Sequence, residues 1–111
     1  LDRRIVDACA YLDEHVQERF TLRQWAAQAH MSPSHFGYLF NQVLGISPGK
    51  YLLEYRMQLA KELLIHTDYP IHEIARRVGY PDQGQFSRAF RNAVDNNPLS
   101  YRRHGLRNEG P

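Results

Sequence analysis

Two sets of residues, fifty positions apart, have the types and spacing to read a polar partner. Ser34, Gly37, Tyr38 and Asn41 fall at i, i+3, i+4 and i+7, and Gly84, Ser87, Arg88 and Arg91 repeat that spacing. On a helix these positions share one face, while Phe36 and Phe40, or Phe86 and Phe90, point the other way. A helix laid in the DNA major groove needs this division, with one side packed on its own domain and the other free. Arg88 can pair bidentately with guanine, a contact worth roughly 1–3 kcal/mol of discrimination. Asn41, Gln42, Gln83 and Gln85 can read adenine or bond phosphates, and Tyr38 can pack on a thymine methyl or bond a phosphate. Inside a helix Gly37 and Gly84 each cost about 1 kcal/mol relative to alanine, which close approach to another surface would justify. Ser34 and Ser87 complete the two base-reading sets. Each residue taken singly reads as an ordinary solvated position; the duplication favours a shared task.

Phosphate anchoring is a separate task. Helix starts present free N–H groups and partial positive charge, so Thr21, Ser47 and the helix start at Ile71 are candidates. Arg76, Arg91, Arg102 and Arg103 are the side-chain candidates. Arg56 lies among apolar neighbours and is expected to pair with an acid inside the domain.

The elements that must position these faces are also duplicated. Leu22, Trp25, Ala26 and Ala29 match Ile71, Ile74, Ala75 and Val78 at a shift of 49, and Pro48 and Tyr51 match Pro98 and Tyr101 at a shift of 50. One residue is therefore inserted in the second turn. Repetition at a fixed offset marks one supersecondary unit used twice, here helix, tight turn, helix.

Local signals place seven helices. The first spans about 3–18, with Ile5, Cys9, Leu12 and Val16 as its apolar stripe. Thr21 and Gln24 form a capping box for a helix over 22–29 that buries Leu22, Trp25, Ala26 and Ala29. Ser32-Pro33 starts the third helix, which buries Phe36, Leu39, Phe40 and Val43 and ends at Gly45. Ser47-Pro48 starts a long fourth helix to about 66, roughly 28 Å of rigid spacer. The fifth covers 71–78, the sixth 83–94 behind an Asp82 cap, and Asn97-Pro98 opens a short last helix carrying Tyr101. No alternating apolar stretch suggests a strand, so the fold class is all-α. The domain map is one DNA-binding domain over 1–111: a first helix-turn-helix unit at 1–46, a linker helix at 47–66, a second unit at 67–104 and a flexible tail at 105–111.

Composition bounds the alternatives. The chain has 111 residues, 42% hydrophobic, and no run long enough to span a membrane. Units of about fifty residues bury too little surface to be stable alone and should lean on a common helix. The single cysteine, Cys9, excludes an internal disulfide and fits a reducing compartment. Net charge is only +2, but residues 70–111 hold seven arginines against four acids, so the excess falls on the second unit. The six histidines contain no i, i+3 or i, i+4 pair, and one cysteine cannot supply zinc-finger spacing, so no metal or cofactor is expected. No nucleophile–base grouping or phosphate-cradling glycine loop suggests an enzyme. The remaining alternative is a helical protein-interaction module. The sequence opens without methionine, which leads to the expectation that a preceding domain belongs to the parent protein.

The run Gly79-Tyr80-Pro81-Asp82-Gln83-Gly84-Gln85-Phe86-Ser87-Arg88-Ala89-Phe90-Arg91, followed by Pro98-Leu99-Ser100-Tyr101-Arg102, resembles the signature of AraC/XylS-type transcription regulators. Ile71-His72-Glu73-Ile74-Ala75 and Arg56-Met57-Gln58-Leu59-Ala60-Lys61-Glu62-Leu63-Leu64 fit the same family. The resemblance covers about positions 5–104. It implies seven helices, with two helix-turn-helix units held apart by the fourth. It implies that the two recognition helices enter major-groove segments about one DNA turn apart. It further implies a bacterial, cytoplasmic activator that touches RNA polymerase, with a separate N-terminal effector or dimerisation domain. The chain departs from the family at Asp95-Asn96-Asn97, where a glycine is usual; asparagine tolerates the left-handed backbone, so the same turn is expected. The first reading face lacks the arginine often found there, which leaves open an unequal division of labour with the second unit reading more through Arg88.

Overall fold

The structure, a computed structural model, describes residues 2–109, with side chains from 2 to 105. These residues form seven helices and no strand: α1 Arg3–His15, α2 Leu22–Gln28, α3 Pro33–Leu44, α4 Pro48–His66, α5 Ile71–Arg77, α6 Gln83–Val94 and α7 Pro98–Glu109. The chain divides into two compact units at the Glu54–Tyr55 junction, inside α4.

In the first unit α1, α2 and α3 pack mutually. Their starts are capped as local sequence dictates. Thr21 Oγ1 accepts from the Gln24 N–H at 3.1 Å while Gln24 Oε1 accepts from the Thr21 N–H at 2.7 Å, closing both halves of the capping box. Ser32 caps α3 through the His35 N–H, with Pro33 at the first helical position. The core is aromatic. Trp25 is fully buried and donates its indole N–H to the Ala8 carbonyl at 3.0 Å. Its ring meets Phe36 and Phe40 edge-on at 5.2 and 5.4 Å, and Phe40 meets Tyr51 at 5.3 Å.

The second unit repeats this with a more aliphatic core. Met57, Ala60, Leu64, Ile74, Ala75, Val78, Phe86 and Phe90 form one buried cluster. Phe90 meets Tyr101 at 5.5 Å and 75°, matching the Phe40–Tyr51 pair at 71°. The turns share their closing bonds. The Met31 N–H donates to the Ala26 carbonyl in one and the Tyr80 N–H to the Ala75 carbonyl in the other. Asp82 caps α6 through the Gln85 N–H at 2.8 Å, as Ser32 caps α3.

Several local expectations are corrected. The buried stripe of α1 is Ile5, Ala8 and Leu12, continued by Val16 at the C-cap, with Cys9 only half-buried. Small Ala8 leaves room for the Trp25 indole above its carbonyl, a contact that α1's own periodicity cannot reveal. That helix ends at His15, three residues early, where the Glu18 N–H turns back to the His15 carbonyl. Leu22, at the first position of its two-turn helix, is 45% exposed, and Ala29 at its end is only half-buried, while the counterpart Ile71 is half-buried and packs against its unit's core cluster. Leu39 and Val43 are also only half-buried. At the end of α6 the left-handed residue is Asp95 itself, at φ 61°, not an asparagine. Finally, α7 runs through position 105, where a tail was expected to begin. Gly105 lies so close to the Ile65 side chain that a β-carbon would collide with it, which packs the helix there. Residues 110 and 111 of that expected tail lie outside the described residues.

Candidate nucleic-acid interface

The two phenylalanine pairs fix which way α3 and α6 face. Phe36 and Phe40 are sequestered under α3, and Phe86 and Phe90 under α6. The opposite side of each helix is thereby left to solvent. On α3, Ser34, Tyr38, Asn41 and Gln42 are exposed and Gly37 is half-buried; Tyr38 keeps 68% of its surface, the most of any large apolar side chain among the described residues. Apart from its chain neighbours and the adjoining backbone of its own helix, no heavy atom lies within 4 Å of the point a β-carbon on Gly37 would occupy. That glycine is therefore not required by packing within the unit.

On α6, Gln83, Gly84, Gln85, Arg88 and Arg91 are exposed and Ser87 is half-buried. Gln85 is partly engaged, since its carboxamide nitrogen lies 3.4 Å from Asp82 Oδ2. Gly84 differs from Gly37. The point its β-carbon would take lies 3.3 Å from Asp82 Oδ1 and 3.4 Å from Arg88 Nη1. Asp82 Oδ1 lies there because the same oxygen caps the Gln85 N–H one residue further along.

The phosphate candidates separate into three groups. Thr21 and Ser47 use their hydroxyls as caps, Ser47 Oγ accepting from the Lys50 N–H at 3.2 Å, so only their helix-start N–H groups remain to offer. Arg91 and Arg103 are exposed side chains. Arg76 and Arg102 are engaged. Arg76 grips Glu73 at 2.6 Å through Nη2, and Arg77 reaches the same carboxylate at 2.7 Å while its guanidinium lies 4.1 Å over the Tyr69 ring. Hydrogen bonds from Arg76 and Arg77 hold the Glu73 carboxyl at about 2, well below the usual carboxylate range.

Arg102 requires a correction. Its Nε donates to the Leu64 carbonyl at 2.9 Å and its Nη2 to the Thr67 carbonyl at 3.2 Å. Carbonyls at the end of a helix lack intrahelical partners, and a cation suits that end of the dipole. Arg102 therefore clamps the end of α4 instead of standing free for a phosphate. Arg56, expected beside an acid, holds its guanidinium 5.6 Å from the Tyr80 ring centroid. Among the described residues no group of three or more His, Cys, Asp and Glu side chains could hold a metal ion. Nor, among the described residues, is any helix long and apolar enough to cross a membrane.

A family model described as a helix-turn-helix domain matches residues 25–104. The chain is 37% identical over 103 residues to the arabinose operon regulatory protein of Salmonella typhimurium, covering 92% of this chain and 37% of that protein. It thus spans little more than a third of that relative's length. Among solved structures, the C-terminal domain of AraT, a response regulator from Geobacillus stearothermophilus, superposes with a TM-score of 0.89 at 40% identity, covering 94% of this chain and 87% of that one. The DNA-binding domain of AdpA, a global transcriptional factor solved in complex with a target DNA, superposes with a TM-score of 0.87 at 29% identity, over 96% and 98% of the two chains.

Proposed function

The chain belongs to the AraC family of helix-turn-helix transcription regulators, and from that premise we propose that it binds double-stranded DNA sequence-specifically to regulate transcription. One observation carries the reading. Each unit buries a phenylalanine pair beneath a capped helix and leaves a polar or basic face open on the other side. Ser34, Gly37, Tyr38, Asn41 and Gln42 form the first reading face, and Gln83, Gly84, Gln85, Ser87 and Arg88 the second. The open space over Gly37 supports this assignment, since a helical glycine without an internal reason suits close approach by a partner. Arg91 and Arg103, with the N–H groups at Thr21 and Ser47, take phosphates. Arg76 joins them only by sharing its charge with Glu73.

The proposal extends to both helices entering successive major-groove segments of one duplex, about ten base pairs apart. It includes activation through contact with RNA polymerase in the cytoplasm, and an N-terminal effector or dimerisation domain in the parent protein. The family relationship and the short share of the relative's length support these points.

Selection of bound duplexes from a randomised pool tests the core of the reading. Two short preferred blocks about ten base pairs apart are expected, with affinity falling steeply as salt rises. Absence of duplex binding at low salt would instead favour a protein-interaction module.

A further inference from the structure

We infer that Arg77, rather than Arg76, makes the backbone-phosphate contact of α5: its guanidinium is already fixed in place, and its terminal fork of N–H donors is left over for a ligand. This rests on the DNA-binding reading above. The two arginines share one carboxylate but use it differently. Arg76 spends Nε and Nη2 on the two Glu73 oxygens, at 3.3 and 2.6 Å. Arg77 spends Nε alone, at 2.7 Å from Glu73 Oε2, and its guanidinium carbon lies 4.1 Å from the Tyr69 ring centroid. Its Nη1 and Nη2 find no acceptor among the described residues, and the side chain keeps 40% of its surface. Those two nitrogens form the end of the guanidinium, where parallel N–H groups match two oxygens of a phosphate. Two cations against one carboxylate leave the group a net positive charge to offer an anion.

The ring under Arg77 is itself held. Tyr69 packs against its unit's core cluster, and its N–H donates to Thr67 Oγ1 at 3.3 Å, whose hydroxyl donates in turn to the Leu63 carbonyl at 2.6 Å. A ring on one face and a carboxylate at Nε therefore order a long side chain on folding, so binding does not have to order it. The duplicated unit supplies an internal comparison. At a shift of 49 it carries Phe20, Gln24, Ala27 and Gln28 in place of Tyr69, Glu73, Arg76 and Arg77. The ring is kept while both cations and the carboxylate are gone, and Gln24 is committed to the capping box. The arrangement thus belongs to the second unit, where the arginine excess lies.

The test titrates random-sequence duplex against parent, Arg76→Ala and Arg77→Ala at several salt concentrations, with melting temperature read in parallel. Arg77→Ala is expected to lower the log–log salt slope by about 1, and Arg76→Ala by less than half as much. Each variant removes one charge from beside the same carboxylate, so charge acting at a distance would lower both slopes alike. Equal slopes, or the larger loss in Arg76→Ala, overturn the inference and leave the DNA reading standing. A second measurement uses the parent and so survives an unstable variant. The Arg77 Nη resonances, identified by their loss in Arg77→Lys, should shift on adding duplex and hold still on adding inorganic phosphate at the same ionic strength. A shift with inorganic phosphate and none with duplex would make this a site for a free anion, and no shift with either would make Arg77 structural; both overturn the inference. A parent that binds no duplex overturns the functional reading and this inference with it.

Discussion

His30 stands in the first turn where Gly79 stands in the second, and both hold a left-handed backbone, at φ 59° and 97°. The relationship reverses at the ends of the recognition helices, where Gly45 at φ 78° is matched by Asp95 at φ 61°. Each unit needs two left-handed residues, and each supplies glycine at only one. An L-residue in that region carries strain of roughly 1–2 kcal/mol, less for aspartate, which bonds locally. Glycine relieves it but loses more entropy on folding. His30→Gly and Asp95→Gly should each stabilise by about 0.5–1 kcal/mol, read as a rise in denaturant midpoint. Trp25 fluorescence reports the first change, since the only tryptophan is buried in that unit's core. Gly45→Ala should cost about 1–2 kcal/mol although nothing crowds its β-carbon, because the strain lies in the backbone.

Arg88→Ala should leave folding nearly unchanged, since the side chain is exposed. Preference at one base position should relax by about 1–3 kcal/mol, measured by competition among duplexes differing at that pair. Arg88→Lys should recover affinity better than preference, because lysine keeps the charge without the fork. A variant that discriminates as the parent does would make Arg88 a phosphate contact or a bystander.

Arg102 and Arg103 are adjacent and should behave oppositely. Arg102→Ala removes two charge-assisted bonds to carbonyls at the end of α4 and should cost about 1.5–3 kcal/mol of stability. Its effect on the salt dependence of DNA binding should be small. Arg103→Ala, at an exposed position, should leave stability alone and lower the log–log salt slope by about 1. Equilibrium unfolding and a salt titration on the same two variants decide the assignment.

Glu73 gives the second unit an acid-sensitive contact. Its carboxyl is held at about 2 by the hydrogen bonds of Arg76 and Arg77, against an ordinary value of 4.5. A carboxylate held low stabilises the folded form above its unfolded value and stops doing so as pH falls through its folded one. Glu73→Gln should therefore melt below the parent at neutral pH, and the gap should close between about 4.5 and 2. Added salt should narrow the neutral-pH gap, since Arg76 is an exposed partner. A gap unchanged down to the lowest pH would show that the ion pairs contribute nothing.

What the sequence determined by itself is the set of elements and the side each presents. Capping residues at Thr21, Ser32, Ser47, Asp82 and Asn97 act on N–H groups three positions away, and the phenylalanine pairs act through helical period. Both are short-range effects, so α3, α4 and α6 fall where local chemistry puts them. The duplication was legible for the same reason, since matched local signals give matched turns.

Tertiary packing decided the rest. It buried Ala8 where Cys9 was expected, left Leu22 at the surface and turned Arg102 onto carbonyls 35 and 38 positions away. A stripe on one helix does not reveal which residue of another will sit against it. Nor does a long cationic side chain carry in its sequence neighbours any sign of whether it ends in solvent or on a helix terminus. Those outcomes depend on groups distant along the chain, which only the folded arrangement brings together.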